Sequence, residues 1–502
     1  MRRGVLVAAM AASLVLLLLR LYAAERLGFG DAEALYACYA RHPQPVYLDH
    51  PGLIGVVARM LGRGDAPSPF AAHIGTALLS TAAPWVGALA ARAAGASWTA
   101  SAFAAVALML APEISVGLFG LTPDLPLMIL WYVAVGASAW ALRAQAGSFR
   151  ALVSALVSGF ATGLACDSKA SGVLLLVGLA MAWAAKPARA HRATLAPWGG
   201  LVLALLLFSP IVLDEIERGF PMLRHRLVET QKGAGLSLRN MAALLGGQLL
   251  YVTPPLLWAG IQVARDLHPR RRDDVVSSLL WSVTVTAVPL VVLACLSRVA
   301  EPHWVAPLYL ALPLHFARRS EQAAGAPIIS PVLARLSAGV GVFAVAAVHL
   351  WVLMPLSPKL LGSRYVARYD LANDLYAWHT GLPLIKRALA QSLDLEAPPP
   401  IVVGSHWTVC AQVHAALPRS VLVGCEADIP DDFSRWLPRS IWERAPVVLY
   451  VSDDRFGEVG TAMPHRRIDA AWHVDVHRGG IPVRRITVER LVASANASLP
   501  TR

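Results

Sequence analysis

Residues 30–53 read GDAEALYACYARHPQPVYLDHPGL. Three carboxylates (Asp31, Glu33, Asp49), two histidines (His42, His50) and three prolines share this one short connection. The segment before it, Val5 to Leu21, and most of the chain after it as far as Leu356 are Leu, Ala and Val. Ionisable groups at the mouth of a membrane bundle are costly to keep unless they serve a function. A solvated loop is the plainer alternative.

Working outward, the 502 residues are 56% hydrophobic and only 15% charged, with a mean hydropathy of +0.54. A soluble domain carries roughly a quarter charged residues, so this composition is that of a polytopic α-helical membrane protein. The net charge of +12 falls largely between apolar runs, as cytoplasmic loops require, which disfavours nucleic acid as a partner. The start, Met1-Arg2-Arg3 and then an apolar run, raises a cleaved signal peptide. No small-x-small cleavage site stands out, and the run reads as an uncleaved first helix with a cytoplasmic N-terminus.

Further spans are expected at Ala71–Ala93, Thr99–Gly120, Pro123–Leu142, Leu152–Cys166, Ser171–Ala185, Trp198–Glu215, Met241–Ala264, Val275–Leu296, Trp304–Phe316 and Ile329–Leu356, about eleven in all. Alternating sides puts Arg143 and Arg150, Lys186, Arg189 and Arg192, Arg265 and Arg270 to Arg272, and Arg318 and Arg319 in short basic inner loops. An odd count then places the C-terminal part outside. The expected division is 1–356 for the membrane domain, with a first outer loop at 25–70, and 357–502 for a small periplasmic α/β domain. In that domain IVVG (401–404), SVLVG (420–424) and VVLYV (447–451) have strand character, between helical patterns at Ala367–Leu389 and Trp407–Ala416. Cys410 and Cys425 lie there, either paired in an oxidising compartment or as reduced, buried thiols. No Gly-rich phosphate loop occurs, so ATP-driven transport and hydride transfer lose support.

Four more stretches share the expected outer face with residues 30–53. LTPDLPL (121–127) holds Asp124, a helix-start acid with either a capping or a functional role. CDSKASG (166–172) holds Lys169, which either binds phosphate or snorkels to the interface. The loop from Glu215 to Asn240 contains Arg224, His225 and Arg226, suited to an anionic headgroup or to anionic lipid. EPHWVAPLY (301–309) sets Glu301 and His303 beside Trp304 and Tyr309, which fit an interface belt. Acids and cations on one membrane face, with long apolar helices between them, match what sugar transfer from a lipid phosphate needs. A carboxylate deprotonates the acceptor hydroxyl and cations stabilise the departing phosphate. A transporter or flippase of lipid-linked sugars is the alternative, and a non-catalytic scaffold a third.

The motifs as a set resemble the bacterial dolichyl-phosphate-mannose-protein mannosyltransferase-like group, which includes the aminoarabinose transferases acting on lipid A, within the GT-C superfamily of integral-membrane glycosyltransferases. The resemblance runs through DAEALYACYARH (31–42), YLDHPGL (47–53), TPDLPL (122–127), GLACDSKASGVLL (163–175), SPIVLDEIERGFPMLRHR (209–226), GQLLYVTPPLLW (247–258) and HWVAPLYLAL (303–312). DLANDLYAWHTGLPL (370–384) resembles the start of the periplasmic domain in some members. The resemblance implies a bacterial inner-membrane hexosyl- or pentosyltransferase with a polyprenyl-phosphate sugar donor, inversion at the anomeric carbon and a periplasmic site. The acceptor is a lipid, glycan or protein.

Asp31 falls on the family's first-loop aspartate, the candidate general base. Glu33 completes an acidic pair that is adjacent in the family and split here by Ala32. Asp124 falls on the acid of the second outer motif, which shapes the site or orients the acceptor. Asp49 and His50 fall on the acid-plus-cation pair that contacts the lipid phosphate; the aminoarabinose transferases have lysine at the cation position. Lys169, Arg224 and His303 would line the same headgroup cavity. Gly52 stands where the family has a second proline, which loosens the turn. These motifs make no cofactor certain, no metal ligand is assigned, and a divalent cation is left open.

Overall fold

The computed structural model describes residues 2–62, 67–271, 273–297, 301–320, 327–393, 399–427, 429, 431–456, 463 and 465–493. Arg272, expected in a basic inner loop, and part of the expected first outer loop lie outside them. The chain forms two compact units, each assembled from three segments: Met1–Leu21, Gln44–Ile54 and Gly75–His349 in the first, and Tyr22–Pro43, Gly55–Ile74 and Leu350–Arg502 in the second. The stretch 30–53 is therefore divided between them.

The first unit is a bundle of apolar helices. Seven helices among the described residues are long and apolar enough to cross a membrane, and ten spans result if each of three bent helix pairs counts as one. About eleven were expected from apolar runs. Trp304–Phe316 is not one straight helix: a 3₁₀ segment, Pro302–Leu308, precedes a short helix, Leu312–Arg319. The expected spans Thr99–Gly120 and Met241–Ala264 are bent, by 87° between Trp98–Met109 and Pro112–Phe119 and by 96° between Leu238–Tyr251 and Pro254–Leu267. Proline opens the second helix of each pair, where its missing N–H costs no internal hydrogen bond. Alanines 83, 90, 134 and 139 are fully buried beside Leu125, Trp131 and Tyr132. Small residues of this kind let helices approach closely, which is how membrane bundles pack. Polar groups inside the bundle are partnered: Ser138 and Ser158 share a 2.7 Å hydrogen bond, and Arg20 donates to Thr81 and to the Ser115 carbonyl.

The second unit contains a five-stranded sheet. Its strands are β1 (Ile401–Gly404), β2 (Val423–Cys425), β3 (Val447–Asp453), β4 (Arg466–Arg478) and β5 (Ile481–Ala493), in the order β2-β1-β3-β5-β4. β1 runs parallel to β2 and β3, while β5 is antiparallel to β3 and β4. Alternate residues of β3 enter different apolar clusters, Val448 and Tyr450 in one and Leu449 and Val451 in the other. Burial on both faces explains why VVLYV is a continuous apolar run rather than an alternating one. The helix Trp407–Ala416 connects β1 to β2, and the disulfide Cys410–Cys425 ties that helix to β2. Residues 31–39, expected within an outer loop, form a helix, Asp31–Tyr39. Its Tyr39 hydroxyl bonds Asp432 at 3.1 Å and its Cys38 thiol the Ala411 carbonyl at 3.3 Å.

Candidate active site

In the first unit, helix ends bring charge together. Asp124 is the first residue of the helix Asp124–Arg143, after Pro123 at its cap. Lys169 ends the helix Phe149–Ser168 in an extended conformation. The Ser168 hydroxyl donates to the Pro123 carbonyl at 2.7 Å, which locks the two ends side by side. The Lys169 ammonium then spans both oxygens of Asp124, at 2.7 and 2.9 Å. His303 Nε2 lies 3.8 Å from Asp124 and 3.6 Å from Glu301.

The second group in this unit is built on the turn 46–51. Val46 and Pro51 bridge, and the Tyr47 amide donates to the His50 carbonyl at 2.9 Å. A Cβ on Gly52 would lie 2.5 Å from the Gln44 carbonyl oxygen. Glycine therefore does not loosen this turn, as the sequence led us to expect, but lets the backbone close on itself. Asp49 accepts a hydrogen bond from Arg226 at 3.0 Å, with His225 Nε2 at 4.0 Å. Arg226 is aimed there by Glu215, a buried carboxylate whose oxygens accept from the amides of Met222 and Leu223 at 3.0 and 3.1 Å. Arg224 is exposed and joins no ion pair of this group among the described residues. His50 is buried, and its basicity is held well below the ordinary imidazole value, by burial first and then by the charges of Arg226 and Lys169. His50 is thus a neutral ring at pH 7. His303 is lowered as well, again by burial and then by Lys169.

An apolar cavity of about 730 Å³ occupies the same unit. Phe103, Val106, Leu256, Val285 and Phe316 contribute to its wall, and its two carboxylates are Glu113 and Asp124. Asp124, the partner of Lys169, is thus part of the lining of a space suited to hydrocarbon.

Asp31 and Glu33 belong to the second unit. Glu33 is buried with both oxygens engaged: one accepts from the Gly30 amide at 2.8 Å, the other meets His73 Nε2 at 3.0 Å. It holds the turn on which Asp31 stands. Asp31 Oδ2 accepts from Arg455 Nη1 at 2.7 Å. The same nitrogen reaches Asp374 at 3.1 Å, and the rest of that guanidinium grips Asp453. Arg484 in turn donates to Asp374 at 2.5 Å. Burial first, then the neighbouring charge of Asp31, pushes Asp374 up to about 6 against the pull of both arginines. Arg226 was named from the sequence only within a basic loop, with Arg224 taken as the headgroup ligand; Glu113, Asp374 and Arg455 were not singled out. The last three carry no local sequence signal.

No three His, Cys, Asp or Glu side chains gather as a metal-ligand set among the described residues.

Residues 53–213 match the model of the family described as dolichyl-phosphate-mannose-protein mannosyltransferase. No curated protein matches the chain. Among solved structures it is similar to ArnT from Cupriavidus metallidurans bound to undecaprenyl phosphate. The identity is 16%, the TM-score 0.62, and the match covers 99% of this chain and 99% of that one. The apo state of the same protein gives 16% identity and a TM-score of 0.63 over 97% and 98% of the two chains. The fold implied by the motif resemblance, a multi-span helical membrane protein with a small C-terminal sheet domain, is the fold observed.

Proposed function

We propose that this chain is a membrane glycosyltransferase that moves a sugar from a polyprenyl-phosphate donor to a hydroxyl group of a lipid, glycan or protein. The observation that carries the reading is Asp124, in the wall of an apolar cavity of about 730 Å³ and ion-paired there to Lys169. A polyprenyl phosphate has the two halves such a place would accept, a long hydrocarbon tail and an anionic head. The similarity to an ArnT structure that holds undecaprenyl phosphate supports the same donor class.

In this mechanism Lys169 and Arg226 take up the charge that grows on the phosphate as the glycosidic C–O bond breaks. His50, neutral, contributes a ring N–H or a lone pair but no fixed charge. Asp124 keeps Lys169 in place. Asp31 receives the acceptor proton as the acceptor oxygen bonds to the anomeric carbon. The electron pair of the broken bond leaves with the phosphate, and attack from the opposite side inverts the centre. The disulfide Cys410–Cys425 supports placing the sheet domain in an oxidising compartment, hence on the periplasmic side of a bacterial inner membrane.

The test is transfer of radiolabelled sugar from polyprenyl phosphate into membrane acceptors, with wild type and Asp31→Asn at matched expression. Label moved by the wild type and not by the variant is expected. Equal transfer in both removes Asp31 as the base. Flux of lipid-linked sugar across the bilayer without any transfer supports the transporter instead.

A further inference from the structure

We propose that Arg455 is the positioning residue for Asp31, so that the C-terminal sheet holds the carboxylate that accepts the proton. This rests on the assignment of Asp31 as base. Arg455 follows β3, the strand next to β1 where the order β2-β1-β3 reverses direction. In open parallel sheets, the ends of the strands beside such a reversal are where functional groups collect.

Arg455 is itself held. Its amide donates to Asp453 Oδ1 at 2.9 Å, and its guanidinium folds back on that carboxylate through Nε at 3.1 Å and Nη2 at 2.8 Å. The Asp453 side chain is only 1% exposed. With those donors engaged, Nη1 serves Asp31 Oδ2 and Asp374 Oδ1. A planar fork fixed on two sides fixes the group on its third side.

A purely structural bridge is the simpler alternative, and two observations weigh against it. The helix Asp31–Tyr39 and the turn before it are already fastened without Arg455. Arg41 donates to the carbonyls of His414 and Ala415 at 2.5 and 3.0 Å, and Gln412 donates to the Phe29 carbonyl at 2.7 Å. Tyr39 and Cys38 add their own bonds. Secondly, Asp31 Oδ1 is buried and has no hydrogen-bond partner among the described residues. A buried carboxylate oxygen left unmatched is costly unless something else completes it. One oxygen clamped and the other without a partner is an arrangement that suits a base: Oδ2 stays on Arg455 while Oδ1, once the acceptor O–H reaches it, takes the proton. Arg455 keeps its own protons throughout.

The experiment compares transfer kinetics from pH 5 to 9 in wild type, Asp31→Asn, Arg455→Met, Arg455→Ala and Arg455→Lys, each purified as the full chain and checked by thermal melting. For Arg455→Met, kcat is expected to fall about 10- to 100-fold with donor KM little changed, since a misplaced catalytic group costs that order. The acid limb of its pH profile should move to higher pH, because a carboxylate that loses an adjacent cation protonates more readily. Arg455→Lys should recover part of the rate, and added methylguanidinium should restore some activity to Arg455→Ala. A wild-type rate and pH profile in Arg455→Met, beside an inactive Asp31→Asn, overturns the proposal. So does a loss that tracks melting temperature and that neither lysine nor methylguanidinium repairs. Transfer retained by Asp31→Asn instead removes the underlying assignment of the base.

Discussion

Lys169 is held by both oxygens of Asp124, and a phosphate that enters competes for the same ammonium without displacing it from its helix end. Charge-assisted hydrogen bonds of this kind are worth about 1.5–3 kcal/mol. Lys169→Gln is therefore expected to weaken undecaprenyl phosphate binding by roughly 10- to 100-fold, with Lys169→Arg closer to wild type, as read by donor KM or direct titration. His50→Gln should change the same quantity far less, within about threefold, because the ring it replaces carries no charge at pH 7. Asp49, Asp124, Lys169 and His303 were legible in the sequence because charge is rare in so apolar a chain. Arg226 was legible as a member of a basic run, without anything to prefer it there over Arg224. Glu215 caps the helix Pro221–Arg224, and the π-turn His225–Glu229 that follows rotates Arg226, not Arg224, toward Asp49. Arg455 could not be read at all, since it meets Asp31 across 424 residues and no local pattern marks the encounter.

The helix Asp31–Tyr39 is the element on which the proposed chemistry turns, and its far end rests on a pair of imidazoles. His42 Nε2 lies 3.1 Å from His414 Nε2, and the His42 ring stacks on Trp436 at 4.1 Å. Burial, with Arg41 and Arg419 nearby, pushes His42 down to about 4 and His414 down to about 3. Both rings are thus neutral in the fold while the unfolded chain takes up protons below about 6.5. The stability they provide is full above that value and is lost as the pH falls toward 4 and 3. Hydrogen exchange of residues 31–42 should accelerate between pH 6.5 and 4.5 relative to the rest of the sheet domain. His42→Gln should flatten that dependence. Elsewhere in the same unit, the Cys410–Cys425 bond closes a separation of 15 residues. Its removal by Cys410→Ala with Cys425→Ala should cost about 2–4 kcal/mol, seen as a lower melting temperature that reductant no longer affects.

Strands β1 to β3 were legible at this scale as apolar runs of strand length. The hairpin β4–β5 was not recognised, because its strands mix charge with apolar residues over 13 positions each. The signal was Gly479-Gly480, both at positive φ, the pair that a tight hairpin turn favours.

For the whole molecule, apolarity was legible and straightness was not. A run of twenty apolar residues looks the same whether one helix crosses the bilayer or two meet at 96°. Pro254 and the positive φ of Thr253 make the difference. Helices bent in this way line the cavity: Phe103, Leu110 and Ile114 come from one bent pair and its break, Leu256 and Val263 from another. If the cavity receives the donor tail, Leu256→Trp should raise KM for long polyprenyl phosphates and leave a short-chain analogue nearly unaffected. An equal effect on both would place the tail elsewhere.

The unit that carries Asp31 is stitched from residues 22–43, 55–74 and 350–502. Such a unit cannot be traded as a cassette. A recombination event that swapped only the tail would deliver a new residue at 455 to an old aspartate at 31, and both would have to suit each other at once. The stretches that encode residues 31 and 455 would have to travel as one inheritance.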